Sequence, residues 1–294
     1  MLLAACGERP ANTSHAVTAR IERSQPYIEP VTQPDKPVFA ADVPNNKPRI
    51  AIIIDDLGNS RTYGLASIAL PGAVTVAIMP HTPYGPELAE AAYAQGKEIM
   101  LHMPMSNIAE KYTVTDTLTA DMSRETFDAV LNGAIASVPH ATGLNNHTGS
   151  ELTALDEPMR WLMANLAPRG LFFIDSRTTA DSVAGLHADE AGIPNASRQV
   201  FLDNEINREA IDREYRQLLH VARKQGQAIA IGHPHPETLA YLQEVITYLP
   251  QQGFELVYAS ELLHTPATKS APDLQDALQQ GNLETTSSPA SETP

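Results

Sequence analysis

Two adjacent carboxylates, Asp55 and Asp56, end an unbroken apolar run, IAIIIDDLG, over Ile50–Gly58. Two like charges side by side are costly unless a cation neutralises them or one of them holds a proton. The plain alternative is that one Asp caps the next helix and the other is solvated. The same pattern recurs, however. Apolar runs end in His81, in His102, in Asn145-Asn146-His147, in Asp175, in Asp203 and in His233-Pro234-His235. An Asp with two or three His from different segments makes an open shell for Zn²⁺ or a similar divalent cation. An open coordination position lowers the pKa of a bound water, and a neighbouring carboxylate can take its proton. A further His can protonate a leaving group. The spacing leaves open which Asp does which job.

These side chains are useful only if the elements carrying them meet. Short apolar runs rich in β-branched residues alternate with amphipathic stretches from Ile50 to Tyr258. Strands are expected at Ile50–Ile54, Val74–Met79, Glu98–Leu101, Thr142–Asn145, Leu171–Ile174, Val200–Leu202, Ala228–Ile231 and Leu256–Tyr258. Helices are expected between them, with Ser123 capping Ser123–Ser137 and Gly226 ending Arg208–Lys224. Strict alternation means a parallel sheet with right-handed crossovers. Seven or eight units in one domain fit a (β/α) barrel, whose active sites lie where the strands end. An open doubly wound sheet is the alternative, without a GxGxxG turn to support it.

The totals narrow the classes. A chain of 294 residues with a formal charge of -15 does not suit a nucleic-acid partner, which calls for a basic stripe. With a single cysteine, Cys6, there is no internal disulfide and no Cys-based zinc site. Neither a GxSxG elbow nor a P-loop is present. Asp55 or Asp56 with Asp175 or Asp203 could serve a two-carboxylate glycosidase, which would leave the histidines unexplained. Residues 1–47 read as a lipobox-like start, Leu3-Ala4-Ala5-Cys6, followed by a disordered linker. The folded domain covers 48–264, and 265–294 read as a disordered tail with a short helix near Leu274–Leu278. The start implies a periplasmic or envelope-associated protein, possible lipid anchoring through Cys6 included; an ordinary cytoplasmic start is the alternative.

Five motifs in order carry a family resemblance: IDDLG, LHMPM, GLNNHTGS, FFIDSRTT and IGHPHP. IIIDDLG resembles the TFDDG signature of the polysaccharide deacetylases, the NodB-type carbohydrate esterases. GKEIMLHMPM resembles their His motif, and IAIGHPHPETL their closing Leu-x-His motif. Over about residues 48–263 the set resembles the divergent, YibQ-like branch. The resemblance implies a distorted (β/α)7 barrel with disordered arms. It implies removal of acetyl from N-acetylated polysaccharide or peptidoglycan, with a divalent metal, Zn by expectation. It makes Asp55 the base, Asp56 and His102 metal ligands, and His233 the general acid.

There are departures. The second metal-binding His of the main family belongs four residues after His102, where this chain has Ser106. Geometry rather than a motif points to His147, at the neighbouring strand end, as its substitute. No clear counterpart of the family's Arg motif is present, and Arg177 is the candidate for that place. Asn146, Asp175, Arg177 and His235 are expected substrate contacts. His81 reads as a rim residue, Trp161 as core, and Asp203 equally as structure or function. The alternative to an enzyme is a catalytically silent envelope protein that binds glycan or a protein. A weaker reading is an amidase acting on the peptide of peptidoglycan.

Overall fold

A computed structural model describes residues 47–109 and 116–266. The linker, Cys6, and all of the tail beyond Pro266 lie outside the described residues. The described chain alternates strands and helices: β1 (Arg49–Leu57), α1 (Arg61–Ile68), β2 (Val74–Ile78), α2 (Gly85–Ala94), β3 (Ile99–Met105) and α3 (Arg124–Ser137). Then come β4 (Gly143–Thr148), α4 (Asp156–Leu166), β5 (Phe172–Asp175), α5 (Ala184–Glu190), β6 (Asn195–Ser197) and β7 (Val200–Phe201). The domain closes with α6 (Arg208–Gln225), β8 (Gln227–Gly232), α7 (Pro236–Val245) and β9 (Glu255–Leu256).

Local chemistry sets these boundaries. Ser123 accepts the Thr126 N–H at 3.2 Å and starts α3. In α6, Asn207 caps the start, Glu209 lies in the first turn and Arg223 and Lys224 in the last, complementing the helix dipole. Gly226 ends it at φ 83°, a left-handed conformation that favours glycine.

The strands pair in parallel in the order β6-β5-β4-β3-β2-β1-β8-β7, with β9 added beside β1. The two ends of that order, β6 and β7, are consecutive in the chain, and only Arg198 and Gln199 separate them. The sheet therefore curls round on itself into a distorted barrel. Among the described residues no ladder joins β6 to β7; the link between them is tied to their flanking strands, Arg198 N–H donating to Asp175 O of β5 and Gln199 N–H to Ile229 O of β8.

Two apolar layers follow from strand alternation. Ile50, Ile52 and Ile54 of β1 join the large core beneath the helices. Ala51 and Ile53 join a smaller cluster with Met100, Phe172, Ile174, Ile229 and Ile231, which fills the inside of the curl. Trp161 packs edge-on against Phe127 at the margin of the outer core, as the sequence suggests. Among the described residues, no helix is long and apolar enough to cross a membrane.

Three expectations need adjustment. β3 runs to Met105 and β4 to Thr148, past their apolar stretches, because the polar residues there continue the ladder from His102–Asn145 to Met105–Thr148. β6 has only the residues Asn195–Ser197 and no apolar run to reveal it. The barrel thus uses nine strands with seven α-helices among the described residues, where seven or eight repeating units are expected.

Candidate metal centre

The inner parity of each strand passes from apolar floor to polar mouth. Ala51 and Ile53 lead to Asp55, Met100 to His102, and Ile229 and Ile231 to His233. In β4, Leu144 faces the outer core, which turns Asn145 and His147 inward. In β5, Phe172 and Ile174 lead to Ser176.

Asp56 breaks the alternation. On a regular strand it would face away from Asp55. Its φ is +60°, and the pairing of β1 with β2 slips between Ile54 and Leu57. This local irregularity turns both carboxylates toward the mouth. Gly58 follows at φ 127°, where a Cβ would lie 2.0 Å from Thr82 Oγ1. Thr148 and Arg177, at the ends of β4 and β5, also hold left-handed conformations, at φ 53° and 51°. Backbone strain is thus gathered at the mouth, as is common where a site is built.

Asp56 Oδ1 lies 3.1 Å from His102 Nε2 and 2.9 Å from His147 Nδ1, and those two nitrogens are 3.1 Å apart. Asp56 Oδ1 is buried, and neither imidazole aims a hydrogen at it with bonding geometry. One carboxylate oxygen and two imidazole nitrogens converge on one point, a donor set and spacing that fit a divalent transition cation. The His102 ring is oriented by Asn145 Oδ1, 2.9 Å from Nδ1. Asn145 Nδ2 donates to Asp55 Oδ1 at 2.9 Å and to Oδ2 at 3.1 Å, with Ser176 Oγ at 3.3 Å.

The charges are strongly coupled. Burial pushes the Asp55 carboxyl above its usual range, against the pull of His102 and His233. Burial also acts against Asp56, but the imidazoles of His102 and His147 hold its carboxyl well below the usual range. His102 is raised, since Asp55 and Asp56 outweigh its burial. His233 approaches from β8, with Nε2 3.9 Å from Asp56 Oδ2 and Nδ1 2.9 Å from Asp203 Oδ1. Burial would lower it, but Asp203, Asp56 and Asp55 together push it up to about 9.

Of the residues expected from the sequence, Asp55, Asp56, His102, His147 and His233 meet in one cluster. Asp203 touches the cluster through His233 while also tying the end of β8 to the start of α7. His235 shares a second group with Asp203 and His233. The Asp203 oxygens are already taken by His233 N–H, His233 Nδ1 and Thr238 Oγ1. Asn146 and Asp175 have the outer parity, and the chain itself uses their polar atoms. Asn146 donates to Thr148 O and accepts the Ser176 N–H. Asp175 accepts the Arg177 N–H and the Ser182 hydroxyl. Arg177 places its guanidinium 3.9 Å from Asp175. His81 stays apart, half-exposed and 3.8 Å from Asp116, in keeping with a rim position.

Asn145 lies in a run end that the sequence marks, but Asn146 is the contact expected there; Ser176 and Arg198 are not expected at all. The parity of His147 and Ile174 points to Asn145 and Ser176. Arg198 follows the cryptic strand β6, donates to Ser176 O and Arg177 O, and acts electrostatically on both Asp175 and Asp55.

A sequence profile of divergent polysaccharide deacetylases matches residues 52–263. The chain belongs to the divergent polysaccharide deacetylase family. Its relatives in that family include YibQ of Escherichia coli (strain K12), 34% identical over 230 residues, which span 78% of this chain and 72% of YibQ. A protein of Haemophilus influenzae is 39% identical over 203 residues, covering 69% of this chain and 72% of its own. A crystal structure of a protein from Agrobacterium tumefaciens C58 superposes with a TM-score of 0.72 at 27% identity. That superposition spans 74% of this chain and 89% of the other. The divergent deacetylase barrel expected from the motifs is therefore the observed fold.

Proposed function

We propose that this protein is a metal-dependent hydrolase that removes acetyl groups from N-acetylated sugars of an envelope glycan. The observation that carries the proposal is the meeting of Asp56, His102 and His147 beside Asp55 and His233, each neighbouring pair within 4 Å. In this reading Asp56, His102 and His147 hold the cation, with Zn²⁺ the best match to one carboxylate and two imidazoles. When bound, the cation supplies Lewis acidity toward the acetyl carbonyl and lowers the pKa of a water.

The chain's own groups move the protons. Asp55, pinned by Asn145 and raised by burial, takes the proton of the attacking water. His233 keeps Nδ1 engaged with Asp203, leaving the Nε2 proton facing the site. Held at about 9, the ring is charged at neutral pH and gives that proton to the departing amine. The C–N bond of the amide breaks, and the products are acetate and a free amino sugar. Arg198 and Ser176 keep the Asp55 side of the mouth in place.

The test is acetate release from N-acetylated glycan by the purified protein, with elemental analysis of bound metal. Metal-dependent release abolished by Asp55→Asn supports the proposal. Metal-independent retention of glycan without acetate release, unchanged by Asp55→Asn, would replace it with a binding role.

A further inference from the structure

We infer that Asn145 is a positioning residue that couples the base to the metal-ligating histidine through the two edges of one amide. This inference rests on the metal-centre reading above and gives a role to a residue outside the metal-ligand set. His102 and Asn145 are ladder partners on β3 and β4, so their side chains lie side by side on the inner face. Asn145 is fully buried, and both its polar atoms are used. Oδ1 lies 2.9 Å from His102 Nδ1, and Nδ2 lies 2.9 and 3.1 Å from the two oxygens of Asp55.

The amide orientation follows from chemistry. In the ionised form that acts as base Asp55 only accepts, so the Asn145 NH₂ faces it and the carbonyl faces His102. A carbonyl against Nδ1 demands a proton on Nδ1. In the neutral ring that binds a metal the lone pair is then on Nε2, the atom turned toward Asp56 and His147. Such an outer partner orients a ligand, and its loss commonly costs about 10–100-fold in metal affinity. The other edge fixes the Asp55 carboxylate relative to His102, whose Nε2 is 3.6 Å from Asp55 Oδ2. Asp55, Asn145, His102 and the cation position thus form one relay. A neutral amide makes the link without adding a third negative charge beside Asp55 and Asp56.

The experiment uses the full chain, with Zn²⁺ affinity measured by competition against a chromophoric chelator and Co²⁺ as an absorption probe. Asn145→Ala removes both edges. It is expected to weaken Zn²⁺ by about 10–100-fold and to alter the Co²⁺ spectrum. Asn145→Asp keeps an acceptor toward His102 and loses the donor toward Asp55. It is expected to lose less Zn²⁺ affinity than Asn145→Ala, because the His102 contact is kept, while acetate release falls further, because a carboxylate now faces Asp55. Arg208→Ala, an exposed change on α6 paired with Glu244, is the control and is expected to leave the spectrum unchanged. Wild-type affinity and spectrum in Asn145→Ala would overturn the inference, as would an equal loss of Zn²⁺ in Asn145→Asp. Failure of the wild-type protein to bind either cation would instead remove the metal-centre reading beneath it. Thermal melting of each variant separates loss of fold from loss of the relay.

Discussion

Asp203 holds His233 twice: its Oδ1 lies 2.9 Å from the ring Nδ1, and its Oδ2 accepts the His233 backbone N–H at 2.7 Å. Thr238 Oγ1, from the first turn of α7, donates to the same Oδ2 at 2.8 Å. One buried carboxylate therefore ties the end of β8 to the start of α7 and sets the charge of the ring facing the site.

The first prediction is a pH dependence of stability in the metal-free protein. His233 is raised from 6.5 to about 9, so its stabilising contribution is complete below 6.5 and fades as pH rises toward 9. Asp203 is lowered from 3.8, because His233 outweighs its burial, so its contribution is complete above 3.8 and fades in acid. The melting temperature under chelator should fall between pH 6.5 and 9 in the wild type. In Asp203→Asn that fall should be markedly smaller. Equal slopes in the two proteins would contradict the pairing.

In the proposed site His147 takes the place of the ligand expected at position 106. His147→Ala should lower Zn²⁺ affinity by about 100-fold or more, as removal of a ligand does, while Ser106→Ala should leave it unchanged. Ser106 Oγ is buried without a hydrogen-bond partner. Removing that hydroxyl should leave stability equal or raise it by up to about 1 kcal/mol. Chelator competition and urea unfolding measure the two effects.

Asp55 and Asp56 should separate by role. Asp56→Asn should lose metal and turnover together. Asp55→Asn should keep stoichiometric metal while acetate release falls by about 10²–10⁴-fold, the usual weight of a general base. Metal content and acetate release measured on the same preparations decide this.

Gly58 tests the turn that presents the acidic pair. In Gly58→Ala a Cβ would meet Thr82 Oγ1 at 2.0 Å and Thr82 Cβ at 2.7 Å, at a φ of 127° that side chains rarely adopt. A loss of about 2–4 kcal/mol in urea unfolding is expected, with weakened metal binding because Asp56 is two residues away. Thr82→Ala in the same chain should recover only the part due to Oγ1, leaving the 2.7 Å Cβ contact and the backbone strain.

The amino-acid sequence by itself determined most of the segments that become strands, their alternation with helices, and the placing of acidic and imidazole residues just beyond their apolar runs. Those features are local: β-branched runs, caps and glycine stops act over a few residues, so β1, α3 and α6 are legible within a residue or two except where β1 continues through its carboxylates. Only the tertiary structure decided which of those polar residues look inward. Asn145 rather than Asn146, and Ser176 rather than Asp175, face the site because parity is counted from the residues that fill the curl. Asp56 escapes that count through a left-handed turn that an Ile-Asp-Asp-Leu string does not announce. Arg198 reaches the site from a seam whose strand is only three residues long. Each of these outcomes depends on contacts between segments distant in sequence, and such contacts exist only once the sheet has closed on itself.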